Sequence, residues 1–106
     1  MKHLRGQKIL IVFEVVFTTQ ASEALMNQAS YIFEQTKNVD IADRYLDRMK
    51  DFITSTLSQF PKAGRSAEEY GEGVRKLVYQ RYSILYKIYD NQIVILTIYR
   101  ENIPHV

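Results

Sequence analysis

The sequence predicts an α+β domain ordered β-α-α-β-β-β, with a helical hairpin packed on one face of a mainly antiparallel, four-stranded sheet. Three observations carry that expectation. Residues 74–100 divide into closely spaced segments rich in β-branched and aromatic residues. A stripe of apolar residues at helical spacing runs from Ala42 to Phe60. Between them, Pro61, Gly64, Gly71 and Gly73 mark the change from helix to strand.

The elements follow in order. Residues 9–17 are apolar on both faces except at Glu14, which suits a well-covered first strand. The basic residues ahead of it (Lys2, His3, Arg5, Lys8) imitate a secretory signal, but Glu14 interrupts the apolar run and no small-x-small cleavage site follows. The run is also too short to cross a bilayer. Residues 1–8 are therefore expected to be a basic arm, residues 9–106 one domain, and the membrane no partner.

Thr18, Thr19 and Ser22 offer capping hydroxyls, with Thr19 or Ser22 the expected cap of a first helix reaching about Thr36. Leu25, Ala29, Ile32 and Phe33 give it an apolar side. Asp40 is the expected cap of the second helix, whose stripe comprises Ala42, Tyr45, Met49, Phe52, Ile53, Thr56, Leu57 and Phe60. Pro61 disfavours helical geometry at Phe60 and ends the element. Residues 61–73 form a long connection, of the kind that often carries function. Strands are expected near 74–80, 82–89 and 92–100, with a two-residue hairpin turn at Asp90-Asn91. The stretch Ile93 to Ile98 is apolar on both faces apart from Thr97, so it reads as an internal strand with the amino-terminal strand beside it.

Charge is modest in total and uneven in place. The net charge is +2, yet Val74 to Tyr89 holds Arg75, Lys76, Arg81 and Lys87 with no acid. These cations either solvate the outer face of a half-exposed sheet or meet an anionic partner. The chain has no cysteine, which excludes thiolate metal sites and thiol nucleophiles. His3 and His105 lie at opposite ends without ligand-like companions, so neither metal nor cofactor is expected. Tyr31, Tyr45 and Tyr86 fall on apolar stripes and are expected in the core; Tyr79, Tyr82, Tyr89 and Tyr99 are expected at the surface.

Several local patterns then resemble one family. They are Ala42-x-x-Tyr45-Leu46-Asp47-Arg48, the turn Phe60-Pro61-x-x-Gly64-Arg65, Gly73-x-Arg75-x-Leu77, and Arg81-Tyr82-x-Ile84-Leu85-Tyr86. In order and spacing they resemble the RelE/ParE superfamily of toxins from type II toxin–antitoxin systems, and the turn together with Arg-Tyr-x-Ile-Leu-Tyr is most similar to the ParE branch. The resemblance implies a cytoplasmic growth inhibitor neutralised by a cognate antitoxin. It implies one of two mechanisms. ParE-like members bind and poison DNA gyrase; RelE-like members cleave messenger RNA on the ribosome.

Carried over residue by residue, the RelE-type catalytic set matches poorly. Its first sheet base falls on Val74 and its second on Lys76, which matches; its sheet arginine falls on Ser83 and its late basic residue near Ile103. Its late tyrosine has no counterpart before Val106. If the chain were a nuclease, Lys76 and Arg81 would be its catalytic candidates. The expected reading is a ParE-like toxin that binds without catalysing, with Arg65, Arg75, Lys76, Arg81, Tyr82 and Arg100 as candidate target contacts. For Arg65 an internal ion pair with Glu68, Glu69 or Glu72 is the competing expectation. An inert interaction module is the third alternative, from a different class.

Overall fold

The computed structural model describes residues 12–101. The basic arm expected at 1–8 and residues 9–11 of the expected first strand lie outside the described residues; within them the strand begins at Glu14, later than the expected start. Strand β1 spans Glu14–Phe17, helix α1 Thr19–Thr36 and helix α2 Val39–Gln59. Strands β2 (Arg65–Ser66), β3 (Arg75–Tyr79), β4 (Tyr82–Tyr89) and β5 (Gln92–Arg100) follow, with a 3₁₀ turn at Glu68–Tyr70. The sheet order is β1-β5-β4-β3-β2. It has five strands rather than four, because Arg65–Ser66 pairs with Arg75 and Lys76 inside what the sequence offered only as a loop. A two-residue strand leaves no periodicity to read. β1 lies beside β5 as expected, and parallel to it, with Val15 opposite Ile93 and Phe17 opposite Ile95. The other pairings are antiparallel.

Both helix caps sit earlier than expected. Thr18, in extended conformation, accepts from the Ala21 N–H through its Oγ1. The same hydroxyl donates toward the Ile95 and Leu96 carbonyls at 2.9 and 3.0 Å, so the residue that starts α1 also ties it to β5. Asn38, not Asp40, caps α2 by accepting from the Ile41 N–H; Asp40 sits in the first turn, where a negative charge favours the helix dipole. Lys37 ends α1 in the left-handed region at φ 55°, and its N–H reaches Phe33 O. α2 stops at Gln59, leaving Phe60 as the C-cap ahead of Pro61.

The core lies between the helical hairpin and one face of the sheet. Ala21 and Leu25 from α1, Met49, Ile53 and Leu57 from α2, and Ile84, Tyr86, Ile93, Ile95 and Ile98 from the sheet are buried together. Each large aliphatic side chain withdrawn from water stabilises the fold by about 1.5–3 kcal/mol. A smaller cluster of Ala67, Val74 and Leu85, with Leu96 and Tyr99 against it, forms on the opposite face, where residues 67–74 fold back over the sheet. Two tyrosines depart from expectation. Tyr82 is only 4% exposed and belongs to the core, whereas Tyr31 is 41% exposed.

A β-bulge sets which residues face which layer. Leu85 pairs with Thr97 and Tyr86 with Ile95, leaving Leu96 without a partner on β4. Ile93, Ile95 and Ile98 can therefore all turn toward the helices despite their uneven spacing. Beyond the bulge, Arg100 lies opposite the core residue Tyr82, and Tyr99 lies opposite Ser83 on the outer face. Both hairpin turns, Gln80-Arg81 and Asp90-Asn91, contain two residues, and the first of each has positive φ (54° and 35°).

Candidate functional site

The predicted cations divide among three settings, and the sheet does not bring them together on one face. Arg75 points to the turn ahead of β2. Its Nε and one terminal nitrogen donate to Gly64 O at 3.2 and 2.6 Å, and the same nitrogen reaches Lys62 O at 3.4 Å. Tyr86 works beside it: its hydroxyl donates to Pro61 O at 2.7 Å and accepts from the Gly64 N–H at 3.0 Å. A Cβ on Gly64 would sit 2.5 Å from Lys76 O. The Phe-Pro-x-x-Gly-Arg turn is thus a structural clasp, in which proline ends α2, glycine admits β3 and Arg75 and Tyr86 satisfy the backbone.

On the outer face, Lys76 extends to Glu101. The Lys76 Nζ lies 2.8 Å from Glu101 Oε1, and the buried Ser83 hydroxyl donates to the same oxygen at 2.5 Å. The Lys76 side chain is only 12% exposed. The Glu101 hydrogen bond raises the lysine above its ordinary pKa, and Lys76 followed by Ser83 lowers that of Glu101, so both partners stay charged at neutral pH. Tyr99 lies under the ammonium, with its ring centre 6.0 Å from Nζ, and its hydroxyl shares a 2.8 Å hydrogen bond with that of Tyr70. Arg65, on the neighbouring edge, forms an exposed 3.3 Å ion pair with Glu69.

The third setting is a cleft where the β3–β4 turn meets the helical hairpin. Arg81 and Arg100 line it with Tyr31, Ile32, Gln35, Tyr45, Gln80 and Tyr82, around a volume of about 440 Å³. The Arg100 guanidinium stacks 4.7 Å from the centre of the Tyr31 ring. The Tyr45 hydroxyl donates to Gln80 Oε1. Burial holds the Tyr45 and Tyr82 phenols above their ordinary range, so they remain neutral O–H groups. Of the predicted contacts, this cleft unites Arg81, Tyr82 and Arg100 and leaves Arg65, Arg75 and Lys76 elsewhere. A larger, apolar cavity of about 780 Å³ lies apart from these cations, walled by Phe13, Phe60, Pro61, Ala63 and Ile88.

Sequence reasoning missed Glu101, which no pattern marked, and the cleft roles of Tyr31, Tyr45 and Gln80. Register could have supplied the first: with Ser83 opposite Tyr99, the residue following Arg100 returns to the outer face beside Lys76. Among the described residues no group of three or more His, Asp or Glu side chains is placed to hold a metal, and no helix is long and apolar enough to cross a membrane.

The comparisons agree with this architecture. A search of curated proteins found no match. Among solved structures, the chromosomal ParDE system from P. aeruginosa superposes with a TM-score of 0.72 at 18% identity, covering 86% of this chain and 98% of that one. The toxin–antitoxin complex RelBE2 from Mycobacterium tuberculosis gives 0.68 at 22% identity, covering 90% and 98%. At such identities the likeness establishes the fold. Residues 15–102 match the profile of the family described as the ParE toxin of type II toxin–antitoxin system, parDE. A match over that much of the sequence assigns membership: the chain belongs to the ParE toxin family of type II toxin–antitoxin systems.

Proposed function

We propose that this ParE-family toxin arrests growth in the cytoplasm by binding DNA gyrase, breaks no bond itself, and is neutralised by a cognate antitoxin. One observation carries the non-catalytic part. Lys76, the position that matches the RNA-cleaving branch, is held by Glu101 at 2.8 Å and lies almost wholly covered. Cleavage through a 2′-hydroxyl needs a proton acceptor and cations free to meet a phosphate of growing negative charge. A lysine that is both protonated and already paired supplies neither.

The antitoxin reading is supported by a groove between the two helices, mostly apolar with Glu34 and Asp43 in its wall. Met26, Phe33, Val39 and Leu46 line it, and Met26 and Val39 are 65% and 58% exposed. An amphipathic helix laying apolar anchors along such a groove would cover them. The decisive experiment adds purified toxin to gyrase and, separately, to translating ribosomes. Loss of supercoiling with intact messenger RNA is the expected result. Multiple-turnover cutting of ribosome-bound transcripts, abolished by Lys76→Ala or Arg81→Ala, would overturn the reading in favour of a ribosome-dependent endoribonuclease.

A further inference from the structure

Four arginines gather around Tyr45. It lies between the cleft that holds Arg81 and Arg100 and a smaller cavity, of about 220 Å³, lined by Arg44 and Arg48. Among the described residues none of these four guanidinium groups forms an ion pair, and no acidic side chain lines either cavity. On α2 the acids Asp40, Asp47 and Asp51 lie within one turn of Arg44 and Arg48, but no carboxylate lines the cleft of Arg81 and Arg100, so an incoming anion meets positive charge there.

The rings of the cleft decide what kind of anion fits. Single-stranded nucleic acid is held by a basic groove along its phosphates together with bases stacking on free aromatic faces, and the stacking is what distinguishes it from other anions. Here one face of Tyr31 is already covered by Arg100. Tyr45 stands edge-on to Tyr79 and Tyr82, at centroid distances of 6.4 and 5.9 Å, and Tyr82 itself is buried. The cleft therefore offers guanidinium N–H groups and little free aromatic face beyond the uncovered side of Tyr31. A carboxylate asks for that, because a guanidinium binds its two oxygens as a fork without needing a base to stack.

We propose that this cleft docks an acidic segment of a protein partner, its carboxylates seated on Arg81 and Arg100 and its path continuing past Tyr45 to Arg44 and Arg48. The inference rests on the reading that the toxin acts by binding protein. It gives that contact a location and a chemistry that neither the fold nor the family specifies.

Fluorescence anisotropy of the purified chain tests it, with two labelled probes of equal charge: a peptide of alternating glutamate and leucine, and an oligothymidylate. The peptide is expected to bind, and the double substitution Arg81→Gln/Arg100→Gln to weaken it about tenfold or more, the loss expected for charge-assisted forked bonds. Arg100→Lys keeps the charge without the fork and is expected to lose much of the same affinity, while Lys87→Gln on the outer face leaves it unchanged. No peptide binding, or binding indifferent to Arg81 and Arg100, overturns the proposal. So does an oligothymidylate that binds as tightly and answers to the same substitutions, which would make the cleft a nucleic-acid site. Growth arrest without peptide binding removes the cleft and spares the toxin reading; peptide binding without growth arrest does the reverse.

Discussion

Replacing Tyr86 with phenylalanine removes one oxygen and tests whether the clasp at Pro61–Gly64 holds the sheet to the helices. The ring is fully buried, and phenylalanine fills the same space, so no packing is lost. What goes is the bond to Pro61 O at 2.7 Å and the bond from the Gly64 N–H at 3.0 Å. Gly64 is buried, so its N–H is left without water or protein, at a cost of about 1–3 kcal/mol. Pro61 is partly exposed, water can replace the hydroxyl there, and the loss is roughly 1 kcal/mol. Together Tyr86→Phe is expected to cost about 2–4 kcal/mol, which lowers the melting temperature of a domain this size by roughly 10 °C or more. Urea unfolding followed by circular dichroism measures it, with Tyr89→Phe at an exposed ring as the control, expected within about 0.5 kcal/mol of wild type. A Tyr86→Phe protein as stable as that control would show that the hydroxyl does no structural work and would sink the clasp.

Gly64→Ala should destabilise by about 1–3 kcal/mol and disturb the β2–β3 pairing, since the new methyl meets Lys76 O at 2.5 Å; amide exchange at Arg65 and Ser66 would report it. Ile95→Ala, in the centre of the core, is expected to lose about 2–5 kcal/mol in the same urea assay. The Lys76–Glu101 pair predicts a pH dependence. The lowered pKa of Glu101 contributes stability that is present above the unfolded carboxylate value, near about 4.3, and is lost as pH falls through the folded value. Urea midpoints measured through this acid range should therefore decline less steeply in Glu101→Gln than in wild type; parallel profiles would contradict the pairing.

The helical hairpin, the four longer strands and the place of β1 were legible because each rests on a repeating signal. The stripe from Ala42 to Leu57 has the period of a helix, and the unbroken apolar run at Ile93–Ile98 marks an internal strand. The same unbroken run hid the bulge at Leu96, because a stretch apolar on both faces has no alternation to interrupt. The caps were displaced for a related reason. Several residues near each helix start carry suitable oxygens, and only tertiary contacts such as that of Thr18 with Ile95 and Leu96 select among them. The candidate site was less readable still. A cation's place in the sequence does not say whether it meets solvent, a backbone carbonyl as Arg75 does, or a carboxylate as Lys76 does. Those outcomes depend on residues far away in the chain, Glu101 above all.

The unpaired residue on the last strand has a consequence for variation in length. A sheet counts in twos, and Leu96 is the spare that resets the count between Ile95 and Ile98. Removing Leu96 would regularise the ladder while leaving Arg100 and Glu101 on the sides they now occupy. Removing Tyr99 instead would put the guanidinium where the outward aromatic now stands and turn the carboxylate toward the hairpin, exchanging the chemistry of the two surfaces with no change of charge. Homologues differing by one residue in this strand are therefore not equivalent: the position of the gap decides whether the edit keeps the two faces, losing only the contacts of Leu96 itself, or inverts them.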